Sequence, residues 1–242
     1  MTTDQSIDVS DHIRGEPTMN EDDQPMCEQL LLLLLNSDGR PVAGRTTGYL
    51  LAGALLADLA LRGRVDIAGP AEMIQPGRVL VRGTMPTGDA LVDTALHRVR
   101  THQGAEPSTV IGPLSKGTRT AVLERLTGSG IVRVSNRTVL GLFPVRSWPL
   151  VLPWHAARAK LAVQATVEHG SSPDTETAML ISLLLAGGVL HQVQPTTDCR
   201  AQILRVQHLV QDNWVAAATR KALQDNGAVA AGLVDLPGFL GS

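Results

Sequence analysis

The stretch GYLLAGALLADLALRGR, from Gly48 to Arg64, decides the fold. Apolar residues occupy nearly every face of it, and a helix that is apolar all round belongs in a core. Gly63 stands where such a helix would end. The apolar part runs for roughly fourteen residues with Asp58 inside it, short of the roughly 20 needed to cross a bilayer. A central core helix is therefore expected here. Upstream, six leucines from Leu30 to Leu35 are stopped by the turn signal Asn36-Ser37-Asp38-Gly39, which predicts a second buried helix.

Working outward, a short extended segment is expected around Arg78 to Arg82. Pro86 to Arg100 reads as a helix opened by Thr87 and Asp89, with Leu91, Ala95, Leu96 and Val99 on one apolar face. A Gly- and Pro-bearing loop through Pro113 leads to a helix over Lys116 to Leu126, stopped at Gly128-Ser129-Gly130. Ile131 to Phe143 then alternates, with Asn136-Arg137 as the expected turn of a β-hairpin. Further helices are expected at 154–169, 176–190, 201–212 and 214–224. The fold class is mainly α, a single helical domain around a central bundle with one exposed β-hairpin.

Composition supports this. The 242 residues are 43% hydrophobic but only 2% aromatic, so the core is built from Leu, Val, Ala and Ile, which suits close-packed helices. The first 25 residues hold seven acids against one base, Arg14, and show no hydrophobic period. They are expected to form a disordered acidic tail, with the domain occupying residues 26–242. Without the tail, 20 basic and 16 acidic residues remain, a mildly basic body suited to an anionic surface but not to a dedicated nucleic-acid binder. Cys27 and Cys199 have neither disulfide-framework nor metal-ligand spacing. The N-terminus lacks the charge order of a signal peptide, so a cytoplasmic location is expected.

The order of leucine-rich helix, acidic turn, LAGALLADLALRGR at Leu51 to Arg64, PTGDALVDTAL at Pro86 to Leu96 and helix-Gly-hairpin at Lys116 to Phe143 resembles the Golgi phosphoprotein 3 family. The resemblance runs from about Glu28 to Leu223, and the high Ala, Gly, Val and Arg usage suggests a bacterial member. It implies a non-enzymatic, peripheral membrane protein that binds phosphatidylinositol 4-phosphate or a similar anionic lipid in a shallow basic pocket beside the hairpin. Carried over by position, two pocket cations fall on Lys116 and Arg119, which share a face if the stretch is helical. The family's pocket tryptophan and its other arginine fall on Ala43 and Ala52, and Arg45 in the same loop supplies a neighbouring positive charge. Lys116 and Arg119 near a helix start oppose the helix dipole unless an anion sits there.

The hairpin, by the same resemblance, contributes to membrane contact and self-association. Here it carries Val139, Leu140, Leu142 and Phe143 near Arg137 and Arg146. Burying an apolar side chain is worth about 1.5 to 3 kcal/mol and each base near an anionic leaflet about 1 kcal/mol, which predicts weak, reversible docking. Alternatively, half of those side chains pack on the core, since a strand's residues alternate in direction. The implied partners are an anionic headgroup, the membrane surface, a second copy through the hairpin, and client proteins of the kind that eukaryotic family members hold in the Golgi. No cofactor or metal is expected.

Two rival readings compete. TRTAVLERLTGSGIVRVSNRTVLGLF fits a winged-helix DNA-binding element, but no helix is dense in residues that read base edges, and the isoelectric point is about 6.4. An enzyme would need a catalytic constellation. His97 and His102 lie outside any metal motif, no phosphate-binding loop, dinucleotide fingerprint or nucleophile elbow occurs, and helix capping accounts for Asp89 and Asp93. A third possibility is a protein-interaction module without lipid binding.

Overall fold

The computed structural model describes residues 24–139, 143–211 and 213–228. The acidic segment expected to be disordered falls almost wholly outside these residues, as do Leu140 and Leu142. The architecture is mainly helical, with two small antiparallel strand pairs.

The first helix, α1 (Met26–Leu34), contains the leucine run and is buried along nearly its whole length. It packs against the central helix α2 (Thr46–Leu61), in which every residue from Leu50 to Leu59 is buried. Small residues let the neighbours close in on α2. A Cβ added at Gly53 would stand 2.4 Å from the Thr219 hydroxyl and 2.8 Å from Leu183. The space that the missing side chain leaves is filled by two other helices.

After α2 the chain forms strand β1 (Val65–Ile67), which pairs with β2 (Val79–Val81) in the register Val65 to Val81. Only the second of these strands was expected, as the extended segment around Arg78 to Arg82. Helix α3 (Ala90–Arg100) starts at Asp89, whose carboxylate accepts the N–H groups of Leu91 at 2.8 Å and Val92 at 3.1 Å. This is the capping role expected of Asp89.

The next segment departs from expectation. Residues read as a loop form α4 (Pro107–Ser115), with Pro113 inside it. Pro107 presets the first turn, and Val110, Ile111 and Leu114 bury one face against α2 and α11 (Trp214–Asp225). That packing offsets the hydrogen bond that Pro113 cannot donate. Helix α5 (Thr118–Gly128) therefore starts later than Lys116. Lys116 is extended, and Gly117 has φ +76°, a left-handed conformation that separates the two helices.

The hairpin pairs β3 (Ser135–Val139) with β4 (Phe143–Ser147). Asn136 and Arg137 are not its turn: they lie inside β3, opposite Arg146 and Val145. The ladder continues below the hairpin through a bridge between Val132 and Leu150, and Val151 donates its N–H to Ile131. Helix α6 (Trp154–His169) has the expected bounds. The expected helix over 176–190 is α7 (Thr175–Ala186) followed by a turn, α8 (Leu190–Val193). The helix expected over 201–212 is likewise α9 (Cys199–Val206) and α10 (His208–Gln211). No helix among the described residues is long and apolar enough to cross a membrane.

Candidate functional site

Alternation along β4 and just beyond it puts Arg146 and Trp148 on one face of the chain, two residues apart. The hairpin base lies along α5, which brings Trp148 to Arg119. The Arg119 guanidinium carbon is 5.9 Å from the centre of the Trp148 ring, and that of Arg146 is 5.4 Å from it. Two cations thus converge on one indole, each at a distance where the ring quadrupole attracts it. Among the described residues neither arginine forms an ion pair with a carboxylate.

These residues line an open groove of about 530 Å³ whose α5 wall also presents Thr120, Glu124 and Thr127. Leu123 and Val134 supply its apolar part. Like charges held close repel, so an anion between Arg119 and Arg146 would be stabilised by both guanidinium groups.

The position of Trp148 is fixed from the far side by the turn expected at Asn36 to Gly39. Trp148 donates its N–H to the Gly39 carbonyl at 2.7 Å. Gly39 has φ +74°, and a Cβ there would stand 2.2 Å from the Pro149 nitrogen and from the Trp148 carbonyl carbon. Only glycine admits this approach of two backbones.

Of the residues proposed from sequence, Arg119 lines the groove and is half-buried. Lys116 does not share a helix face with it. It is exposed in the link between α4 and α5, where its carbonyl accepts a hydrogen bond from Arg98 at 3.0 Å. Arg45 is exposed at the start of α2 and is absent from the groove lining. Ala52 is fully buried and Ala43 is 8% exposed, so neither offers a ligand surface. Arg137, Val139 and Phe143 lie in the paired strands of the hairpin.

Trp148 was missed by the sequence reading, and Arg146 was noted only as a neighbour. The signal was Arg-Ser-Trp at 146–148, a cation and an aromatic on one strand face. Together they bring an aromatic ring and a second arginine to the groove, where Ala43 and Ala52 bring neither.

Away from the groove, α5 is anchored by Arg125. This residue pairs with buried Glu28 of α1 at 2.5 Å and with Asp89 at 2.6 Å. Burial raises the Glu28 carboxyl above its ordinary value, while Arg125 opposes the rise. The described residues contain no cluster of His, Cys, Asp and Glu able to hold a metal ion.

The molecule is thus a mainly helical domain, wrapped around a buried central helix, with an arginine–tryptophan groove at the foot of a β-hairpin. The chain belongs to the Golgi phosphoprotein 3 (GPP34) family, whose sequence model matches residues 26–226. A search of curated proteins returned no significant match.

Proposed function

We propose that the protein is a non-catalytic peripheral membrane protein that binds an anionic phospholipid headgroup, of the phosphatidylinositol 4-phosphate-like kind, in the groove at Arg119, Arg146 and Trp148. The observation that carries this reading is the convergence of two guanidinium groups, without carboxylate partners among the described residues, on one indole in an open groove. Membership of the family supports it. Arginine suits the role because its planar fork matches phosphate oxygens. Lys116 and Arg45 act at longer range as exposed charges that draw the protein towards an anionic surface. The hairpin then meets the bilayer through Arg137, Val139, Leu140, Leu142 and Phe143, and the same strands supply a surface for self-association or for an adaptor's client.

Co-sedimentation with vesicles tests this reading. Wild-type protein is expected to pellet with anionic vesicles at low salt and to remain in solution with phosphatidylcholine alone. Arg119→Ala/Arg146→Ala is expected to weaken retention by at least about tenfold, with each lost cation worth about 1 kcal/mol at an anionic leaflet. Lys116→Ala is expected to weaken it by no more than about fivefold. Retention of the double variant at wild-type levels would sink the assignment of the groove.

A further inference from the structure

The groove carries more positive charge than its own walls balance. Its lining holds two arginines, Arg119 and Arg146, against one acid, Glu124, and neither guanidinium pairs with a carboxylate among the described residues. An opposite imbalance lies in the sequence ahead of α1. Residues 1–23 hold seven acids against one base, Arg14, while the rest of the chain holds 20 basic and 16 acidic residues. Between the acids stand Ile7, Val9 and Ile13, apolar side chains of the kind that Leu123 and Val134 of the groove can cover.

This segment joins the domain close to the helix that bears the groove. Gln24, where the described residues begin, donates to the Glu28 carboxylate at 3.1 Å, and Glu28 pairs with Arg125 of α5 at 2.5 Å. Arg125 stands six residues from Arg119, about 9 Å along the helix axis at about 1.5 Å per residue. Asp8 is sixteen residues ahead of Gln24, a tether that spans up to about 50 Å at about 3.3 Å per residue. That is about three times the radius of gyration, about 17 Å, expected of a domain of roughly 200 residues. Asp4, Asp8 and Asp11 are thus within reach of the groove.

We propose that the acidic segment over residues 1–23 is a built-in competitor for the groove, its carboxylates pairing with Arg119 and Arg146 until an anionic headgroup displaces them. This rests on the proposed headgroup reading and adds its regulation. A carboxylate matches the planar fork of arginine as a phosphate does, but it carries a single charge where a phosphate monoester carries about −1.5 to −2. The headgroup therefore wins at a membrane rich in it, and the segment wins away from one. Weak affinity is enough, because a tether holds its end at an effective concentration in about the millimolar range. Neutral vesicles offer no charge to displace the segment, so it also raises the discrimination between membranes.

The test uses the full chain with all seven acids neutralised: Asp4→Asn, Asp8→Asn, Asp11→Asn, Glu16→Gln, Glu21→Gln, Asp22→Asn and Asp23→Asn together. Parent and variant are titrated with inositol 1,4-bisphosphate, the soluble headgroup of phosphatidylinositol 4-phosphate, and with vesicles containing that lipid. If the segment fills the groove in about four molecules of five, the neutralised variant is expected to bind the soluble headgroup about fivefold more tightly. A labelled synthetic peptide of residues 1–23 is expected to bind the neutralised variant, to be displaced by inositol 1,4-bisphosphate, and to lose its binding when Arg119→Ala/Arg146→Ala is added. Melting curves establish that each variant is folded. Equal affinity of parent and neutralised variant for the soluble headgroup would overturn the proposal, as would a peptide indifferent to the two arginines. A gain for vesicles without a gain for the soluble headgroup would also overturn it, since the segment would then repel the bilayer as a whole without entering the groove. Those results leave headgroup binding intact. If the neutralised variant takes up neither the soluble headgroup nor anionic vesicles, the headgroup reading itself fails and the competitor role falls with it.

Discussion

Asp58 caps a helix to which it does not belong. Pro25, at the head of α1, has no side chain that can accept a hydrogen bond, and the Asp58 carboxylate reaches across from α2 to accept the Met26 N–H at 3.0 Å. Burial pushes this acid from its ordinary 3.8 to about 7, against the opposing effects of the Met26 hydrogen bond and Arg62, with Glu176 and Asp89 adding to the rise. In the unfolded chain the acid ionises near its ordinary value. Between about pH 4 and pH 7 the native protein therefore keeps a proton that the unfolded chain has lost, and stability falls as pH rises through that window. At about 1.4 kcal/mol per pH unit the effect has a ceiling of about 4 kcal/mol. Asp58→Asn keeps a carbonyl oxygen for Met26 and removes the charge. Urea unfolding is expected to give similar stabilities for variant and parent near pH 4, and a variant more stable by about 2 to 4 kcal/mol near pH 8. Glu28, raised in the same direction by burial, contributes its own slope to both proteins. Parallel stability curves across the range would show that Asp58 is not the source.

At the scale of elements, the groove depends on one backbone crossing. The 36–41 turn and the chain leaving β4 come together only because Gly39 lacks a side chain. Gly39→Ala combines a left-handed φ with a collision against two backbone atoms, neither of which can swing aside as a side-chain end could. Its expected cost is about 1 to 3 kcal/mol from backbone conformation alone, with the displacement of Trp148 added. Gly44 makes the fitting control, since it too has positive φ, +53°, but nothing within 4 Å of an added Cβ. Thermal melts of the two alanine variants should show the larger loss at Gly39, and only that variant should also lose vesicle retention. Equal losses would mean that the crossing does not set the groove.

The same elements show what could be read from sequence. Trp154–His169 was legible to the residue because a proline precedes it and Gly170 closes it in a left-handed conformation, both local features. The 107–115 helix was not, since Pro107, Gly112 and Pro113 imitate a loop, and the burial of Val110, Ile111 and Leu114 against α2 and α11 is not written locally. Lys116 was misplaced for a related reason. Gly117 could have continued a helix or broken one, and tertiary packing chose the break. Arg119 came through the family resemblance, and Arg146 and Trp148 carried a strand-face signal of their own. Their meeting with Arg119 depends on where the hairpin base lies against α5, a long-range arrangement that no short window of sequence contains.

Across the whole molecule, Arg125 joins parts of the chain nearly a hundred residues apart. It holds Glu28 in α1 and Asp89, and Asp89 also caps α3. Removing one partner from a buried pair typically costs about 3 to 5 kcal/mol, because the other is left charged and alone. Any fluctuation that lifts α5 from the body must expose Glu28 and strip Asp89 of its counter-charge in the same event. The amide protons of α1, the first turn of α3 and α5 are therefore expected to exchange with solvent at one shared opening free energy, separate from that of the β1–β2 pair. Independent exchange of α5 would contradict this. On this account the helix that carries Arg119 is expected to be as durable as the core itself. If α5 opens only with the core, a ligand meets a helix wall that is already assembled and does not have to supply the free energy of assembling it.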